Sequence, residues 1–185
     1  TAKVMDMTEE SVTVAEVSSF QLETILDFRP EVSAILNITP DHLNRHKTME
    51  NYIEIKKAIT LNQTEEDTVV LNYDDPVLRE FGNSEELKPK VVWFSSREKL
   101  KDGFCMNGDT ICYCKAGRET PVINVHTMQL LGRHNYENVM AAAAIGMTMG
   151  VPLEKIAEVI RSFKPVEHRI EFVRERTGVK YYNDS

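Results

Sequence analysis

Nowhere does this chain of 185 residues collect lysine and arginine into a run, and 22 basic against 29 acidic residues leave a net charge of −7. A binder of nucleic-acid phosphates needs the opposite balance. No apolar stretch approaches the roughly 18 residues that a membrane-spanning helix requires. The first residues, TAKVMDMTEESVTV, lack the basic-then-apolar order of a secretory signal. Cysteine is scarce and odd in number: Cys105, Cys112 and Cys114. Cys112 and Cys114 share one strand face without the Cys-x-x-Cys spacing or added histidines of a zinc site, so free thiols in a reducing cytoplasm are expected. What is present is the composition of an ordinary globular protein, 42% hydrophobic and 28% charged.

The first half alternates strands and helices. SVTVAEV (11–17) reads as a strand, and SSFQLETILDF (18–28) as a helix with serine at its start. VSAILNI (32–38) is a continuous apolar run, expected of a strand buried on both faces. The loop TPDHLNRHKT and a helix through ENYIEIKKAI follow. DTVVLNY (67–73) and KVVWFS (90–95) are further strands, with a short helix at DDPVLREFG between them. From residue 103 the texture changes to short alternating segments broken by NGD and AGRE, a small antiparallel meander. An alanine-rich helix comes next, with Asn135 as N-cap and Gly150 as stop, then a helix over 152–163 and a linker, KPVEH. RIEFVRERTGVKYYNDS gives two more strands around a Gly-containing turn. The fold class is therefore α/β, a mostly parallel sheet flanked by helices with a small antiparallel meander. The chain ends where a strand meets a loop and reads as a fragment.

Three positions carry candidate chemistry, the first two at one end of that sheet. Glu16 ends the first strand, where a carboxylate can face a ligand crevice and hold Mg²⁺; a solvent-exposed glutamate explains it as well. Asp41 and His42 follow the second strand, and His42 is a candidate ligand unless Asp41 or Thr39 merely caps the turn. His46 competes with it but has no matching strand-end position. On the helical wheel Lys56 points into the stripe of Met49, Tyr52, Ile53, Ile55 and Ile59. It can snorkel, pair with a carboxylate, or react as a neutral amine with CO₂ to give a carbamate. Asn135 and Asn138 sit three apart at a helix start, suited to capping or to reading a purine edge. Arg169 can clamp a phosphate or pair with a nearby glutamate.

Five segments, AEVSSFQLE, LNITPDHLNRHKTMENYIEIKKA, LLGRHNYENVMAAAA, PVEHRIEFV and YYNDS, together resemble the Mur ligases in order and spacing. The SSFQLE form resembles the branch that adds D-glutamate to UDP-N-acetylmuramoyl-L-alanine. The resemblance implies a cytoplasmic bacterial enzyme of peptidoglycan biosynthesis that makes an amide bond at the expense of ATP through an acyl phosphate. By motif, Glu16, His42 and Lys56 are the expected catalytic and Mg²⁺-binding residues, with a carbamate on Lys56. Ser18, Ser19 and Gln21 are expected in the substrate pocket. Asn135, Asn138, Arg169 and Asp184 are expected at ATP. Residues 1–166 correspond to the central ATP-binding domain and 167–185 to the first strands of a third, Rossmann-like domain.

The departures from the family matter equally. No Gly-Lys pair occurs, so the glycine-rich phosphate loop is missing. The uridine-binding domain and the D-glutamate pocket are missing as well. The expectation is a monomeric parent whose fragment has no ligase activity alone and self-associates through an exposed sheet edge. The competing readings are a stand-alone nucleotide- or metal-binding module, a diaminopimelate- or lysine-adding relative, a folylpolyglutamate synthetase, and a metal-dependent hydrolase.

Overall fold

The structure, a computed structural model, describes residues 7–8, 10–164 and 171–183. Six strands form one sheet in the order β1 (Val32–Ile35), β2 (Thr68–Asn72), β3 (Lys90–Ser95), β4 (Gly103–Asn107), β5 (Thr110–Lys115) and β6 (Arg118–Asn124). The first four run parallel, and the last three close the sheet as an antiparallel meander. The expected α/β class is what is found.

β2 lies between β1 and β3 and is buried along its whole length. Its alternation of side chains divides the core in two. Val70 faces one cluster with Phe94, Phe104 and the buried face of α5 (Arg133–Thr148), joined by Ile156 and Ile160 of α6 (Leu153–Ser162). Val69 and Leu71 face the other cluster, with Tyr52 of α3 (Met49–Lys57) and Leu78 of α4 (Pro76–Gly82). The three thiols are free and buried between β4 and β5, with Cys105 Sγ 3.2 Å from Cys114 Sγ. Burial pushes the Cys114 thiol up to about 12, so it packs as a small apolar group rather than as a nucleophile.

Local chemistry fixes the helix starts. Thr48 caps α3 by accepting from Asn51 N at 3.2 Å, and Asp75 caps α4 by accepting from Val77 N and Leu78 N. The same Asp75 accepts from Ile38 N at 2.8 Å, while Asn72 Nδ2 donates to Leu36 O at 3.0 Å. These two bonds pin the loop that leaves β1 on either side of Asn37. Gln63 is buried and fully engaged, accepting from Ser33 Oγ and donating to Pro30 O and Thr68 O.

Four expectations need correction. Residues 11–17 form no strand: no ladder reaches them among the described residues, and Val12 and Val14 stay exposed at 67% and 88%. Strand structure needs a partner, and apolar content alone does not supply one. The helix expected over 18–28 shrinks to α1 (Ser19–Leu22). The run 32–38 is an edge strand that alternates buried and half-buried residues, with Leu36 and Asn37 exposed, not one buried on both faces. Gly132, not Asn135, precedes the first turn of α5, and Asn135 Nδ2 donates back to Leu131 O at 2.6 Å. Gly150, at φ 83°, does end that helix. β7 (Glu171–Arg176) and β8 (Val179–Asn183) form a separate antiparallel hairpin, turning at Thr177 and Gly178.

Candidate active site

β1 pairs only with β2 among the described residues, so its other edge is free. Along that edge lies a cavity of about 750 Å³, walled by β1, residues 11–17, one face of α5 and the end of α3. The helix contributes Asn138, Ala141, Ala142 and Ile145, positions that recur on one side of an α-helix, and Met149 follows at its end. Glu16, Asn37, Lys56 and Asn138 are among the polar residues of a mostly apolar wall. Such a setting, a mostly apolar cleft on which a few polar groups converge, is where proteins hold small ligands.

Lys56 is half-buried rather than buried. Its ammonium lies 5.7 Å from the centre of the Tyr52 ring, and no carboxylate pairs with it among the described residues. The neighbouring Lys57 is instead tied to Glu54 at 3.0 Å and rests on Phe81. Of the two lysines, Lys56 is therefore the one left available to the cavity. Glu16 is exposed and lines the same cavity.

His42 does not line the cavity. It sits at φ 53° before α2 (Leu43–His46), with Nε2 3.3 Å from Asp41 Oδ2 and its ring 4.9 Å from that of Phe20. Ser18 and Gln21 form a reciprocal capping box at the start of α1, Gln21 N donating to Ser18 Oγ and Ser18 N donating to Gln21 Oε1. Ser19 is buried against His46, at 3.0 Å from Nε2. Asn135 is half-buried and outside the cavity lining, whereas Asn138 is exposed on it. Arg169 and Asp184, and the proposed domain boundary at 166/167, lie outside the described residues. The structure thus gathers Glu16, Lys56 and Asn138 and adds Asn37. Asn37 was readable only as the polar end of an apolar run.

Glu16, His42 and Lys56 do not make a finished metal site. Among the described residues no group of three histidine, cysteine or carboxylate side chains is placed to hold an ion. An amine is no ligand for Mg²⁺, which prefers oxygen.

The profile of the Mur ligase middle domain matches residues 1–146, and the chain belongs to that family. It is 54% identical over its full length to the UDP-N-acetylmuramoylalanine–D-glutamate ligase of Lachnoclostridium phytofermentans, of which it spans 40%. Among solved structures it resembles a UDP-N-acetylmuramoyl-L-alanyl-D-glutamate–2,6-diaminopimelate ligase, with a TM-score of 0.65 and 23% identity over 86% of this chain and 34% of that one. It also resembles the MurF ligase of Thermotoga maritima in complex with ADP, with a TM-score of 0.58 and 21% identity over 85% of this chain and 36% of that one. At those identities the two structures speak for the fold alone. No helix among the described residues is long and apolar enough to cross a membrane.

Proposed function

We propose that this chain is the central portion of an ATP-dependent ligase that joins D-glutamate to UDP-N-acetylmuramoyl-L-alanine in peptidoglycan synthesis. One observation carries the reading: 54% identity, over every residue of the chain, to a relative named for that reaction. The chemistry follows from the bond to be made. A carboxylate does not react with an amine unassisted, so ATP first phosphorylates the alanyl carboxylate. The D-glutamate amine attacks the resulting acyl phosphate, and the tetrahedral intermediate collapses with loss of phosphate.

This chain's share of that task is to bind and orient. Asn138 is placed on the cavity face of α5 with both a donor and an acceptor for a purine edge. Glu16, Asn37 and Lys56 face the same space. Asn135, Arg169 and Asp184 belong to the nucleotide side of this proposal, and Ser18 and Gln21 to its substrate side; Ser19, expected there by motif, is buried against His46 and supports the turn from within. Mg²⁺ and a carbamate on Lys56 belong to it too: a carbamate would replace a cation by an oxygen donor pair, and with Glu16 on the same cavity it would hold the ion that offsets the phosphate charge. The hairpin β7–β8 is the opening of a further domain, beyond the residues that match the middle-domain profile.

The test is phosphate release by the full-length product of the reading frame. With ATP and the muramoyl nucleotide present, D-glutamate should be the amino acid that supports turnover. Turnover with lysine or diaminopimelate in its place would move the protein to another branch of the family. The isolated 185-residue chain is expected to be inactive in the same assay.

A further inference from the structure

α1 and the short helix α2 are joined by a buried cross-link that the reaction scheme above does not use. The His46 side chain is fully buried. Its Nε2 lies 3.0 Å from Ser19 Oγ, and its Nδ1 lies 3.1 Å from Glu23 Oε1, off the line of an ideal hydrogen bond. Arg45, one residue earlier, donates to the other oxygen of the same Glu23 from Nη2 at 2.8 Å. Phe20 closes the cluster, stacked on His46 at 5.5 Å between ring centres, and the ring of Tyr52 of α3 lies 5.3 Å from that imidazole, tilted to it.

Serine, histidine and glutamate in this order look like a nucleophilic triad, but the resemblance is chemical only. Ser19 is 3% exposed, so no substrate carbon can reach its hydroxyl. A buried polar cluster held by a hydrogen bond on one side of the ring and a carboxylate on the other does something else well: it selects one arrangement of the segments it joins. Here those segments are the Ser18–Gln21 turn, next to Glu16, and the loop that carries His42. Phe20 touches both histidines, His46 from inside and His42 from outside.

We propose that His46 is a positioning residue: gripped by Ser19 and Glu23, it fixes the loop of residues 39–48, and with it His42, against the start of α1. The inference rests on the ligase reading only for its kinetic arm. His42 stands outside the cavity lining and would act on a ligand that reaches its loop, and His46 sets where that ring starts from.

The experiment compares His46→Phe, which keeps a ring between Phe20 and Tyr52 but removes both nitrogens, with His46→Gln, which restores a polar partner for Ser19. On this chain, NMR follows the His42 ring signals, which feel the Phe20 ring, with the Trp93 indole as the reporter of an intact core. His46→Phe should shift His42 and leave Trp93 in place, and His46→Gln should bring His42 back toward the wild-type position. In the full-length product, kcat should fall about tenfold or more in His46→Phe with KM for ATP nearly unchanged, and recover in part in His46→Gln. If His46→Phe does not fold, Ser19→Ala takes its place with the same expected pattern. An unmoved His42 signal overturns the proposal, and so does an unchanged kcat in an active ligase. A full-length product with no ligase activity removes the ligase reading, and the NMR arm then decides this one.

Discussion

Arg29 grips Asp67 with two hydrogen bonds, Nε to Oδ2 at 2.8 Å and Nη2 to Oδ1 at 3.2 Å, tying the chain just before β1 to the start of β2. Thr64 N adds a third bond to the same carboxylate at 2.7 Å. The Arg29 bond first, and then that of Thr64, hold the Asp67 carboxyl below its usual range. A carboxyl depressed in the folded state contributes stability that is present above its unfolded pKa and is lost as pH falls through its folded value. The wild-type chain should therefore lose part of its Tm as the pH drops through and below the ordinary aspartate range. Arg29→Ala should be less stable at neutral pH and show a shallower acid-side loss. Thermal melts from pH 7 down to the acid limit of folding would check this, and parallel curves would contradict it.

Gly82 ends α4 against the Trp93 indole, and a Cβ at that position would overlap the ring and press on Leu71. Leu71 has no room to yield, being fully buried in the second core cluster, and the half-buried Trp93 ring packs against that cluster. Gly82→Ala should cost about 1–3 kcal/mol of stability by overpacking, despite alanine's better helix propensity. Urea unfolding followed by Trp93 fluorescence measures it. A gain in stability would show that the indole moves freely.

Lys56 makes no ion pair among the described residues and is half-exposed, so its removal should hardly affect folding. Lys56→Ala should lie within about 0.5 kcal/mol of wild type in stability, yet lower ligase turnover of the full-length product by about 100-fold or more. With ¹³C-bicarbonate and Mg²⁺, a carbamate carbon signal should appear in wild type and be missing in the variant. A normal turnover rate in Lys56→Ala would remove this lysine from the site.

The open edge of β1, with Val12, Val14 and Leu36 exposed beside it, is a template for pairing. The isolated chain should self-associate as its concentration rises, and Leu36→Lys should weaken that association. Light scattering after size exclusion reads both. A sharp monomer at high concentration would count against an available edge.

The parts of the fold legible in sequence were those decided locally. DTVVLNY reads as a strand because Val69, Val70 and Leu71 are three consecutive apolar residues, two of them β-branched, and β2 is buried throughout. The NGD turn appears as Gly108 at φ 56° between β4 and β5. Residues 11–17 had the composition of a strand, but pairing is decided by what lies alongside, and composition is silent on that. The site divides in the same way. Lys56 stood out because a helical wheel is local geometry, and Glu16 because it ended an apolar run. The contact of Ser19 with His46 joins two helices, and neither spacing nor residue type announced it.

The central claim is an acyl phosphate route to the amide bond, and oxygen labelling tests it most directly. The full-length product would be given ATP, D-glutamate and UDP-N-acetylmuramoyl-L-alanine carrying ¹⁸O in the alanyl carboxylate. If that carboxylate attacks the γ-phosphorus, one of its oxygens leaves with phosphate when the amine displaces it. Each phosphate released should then carry one labelled oxygen in proportion to the enrichment, alongside one amide product. Unlabelled phosphate, or phosphate released without amide, would contradict the account.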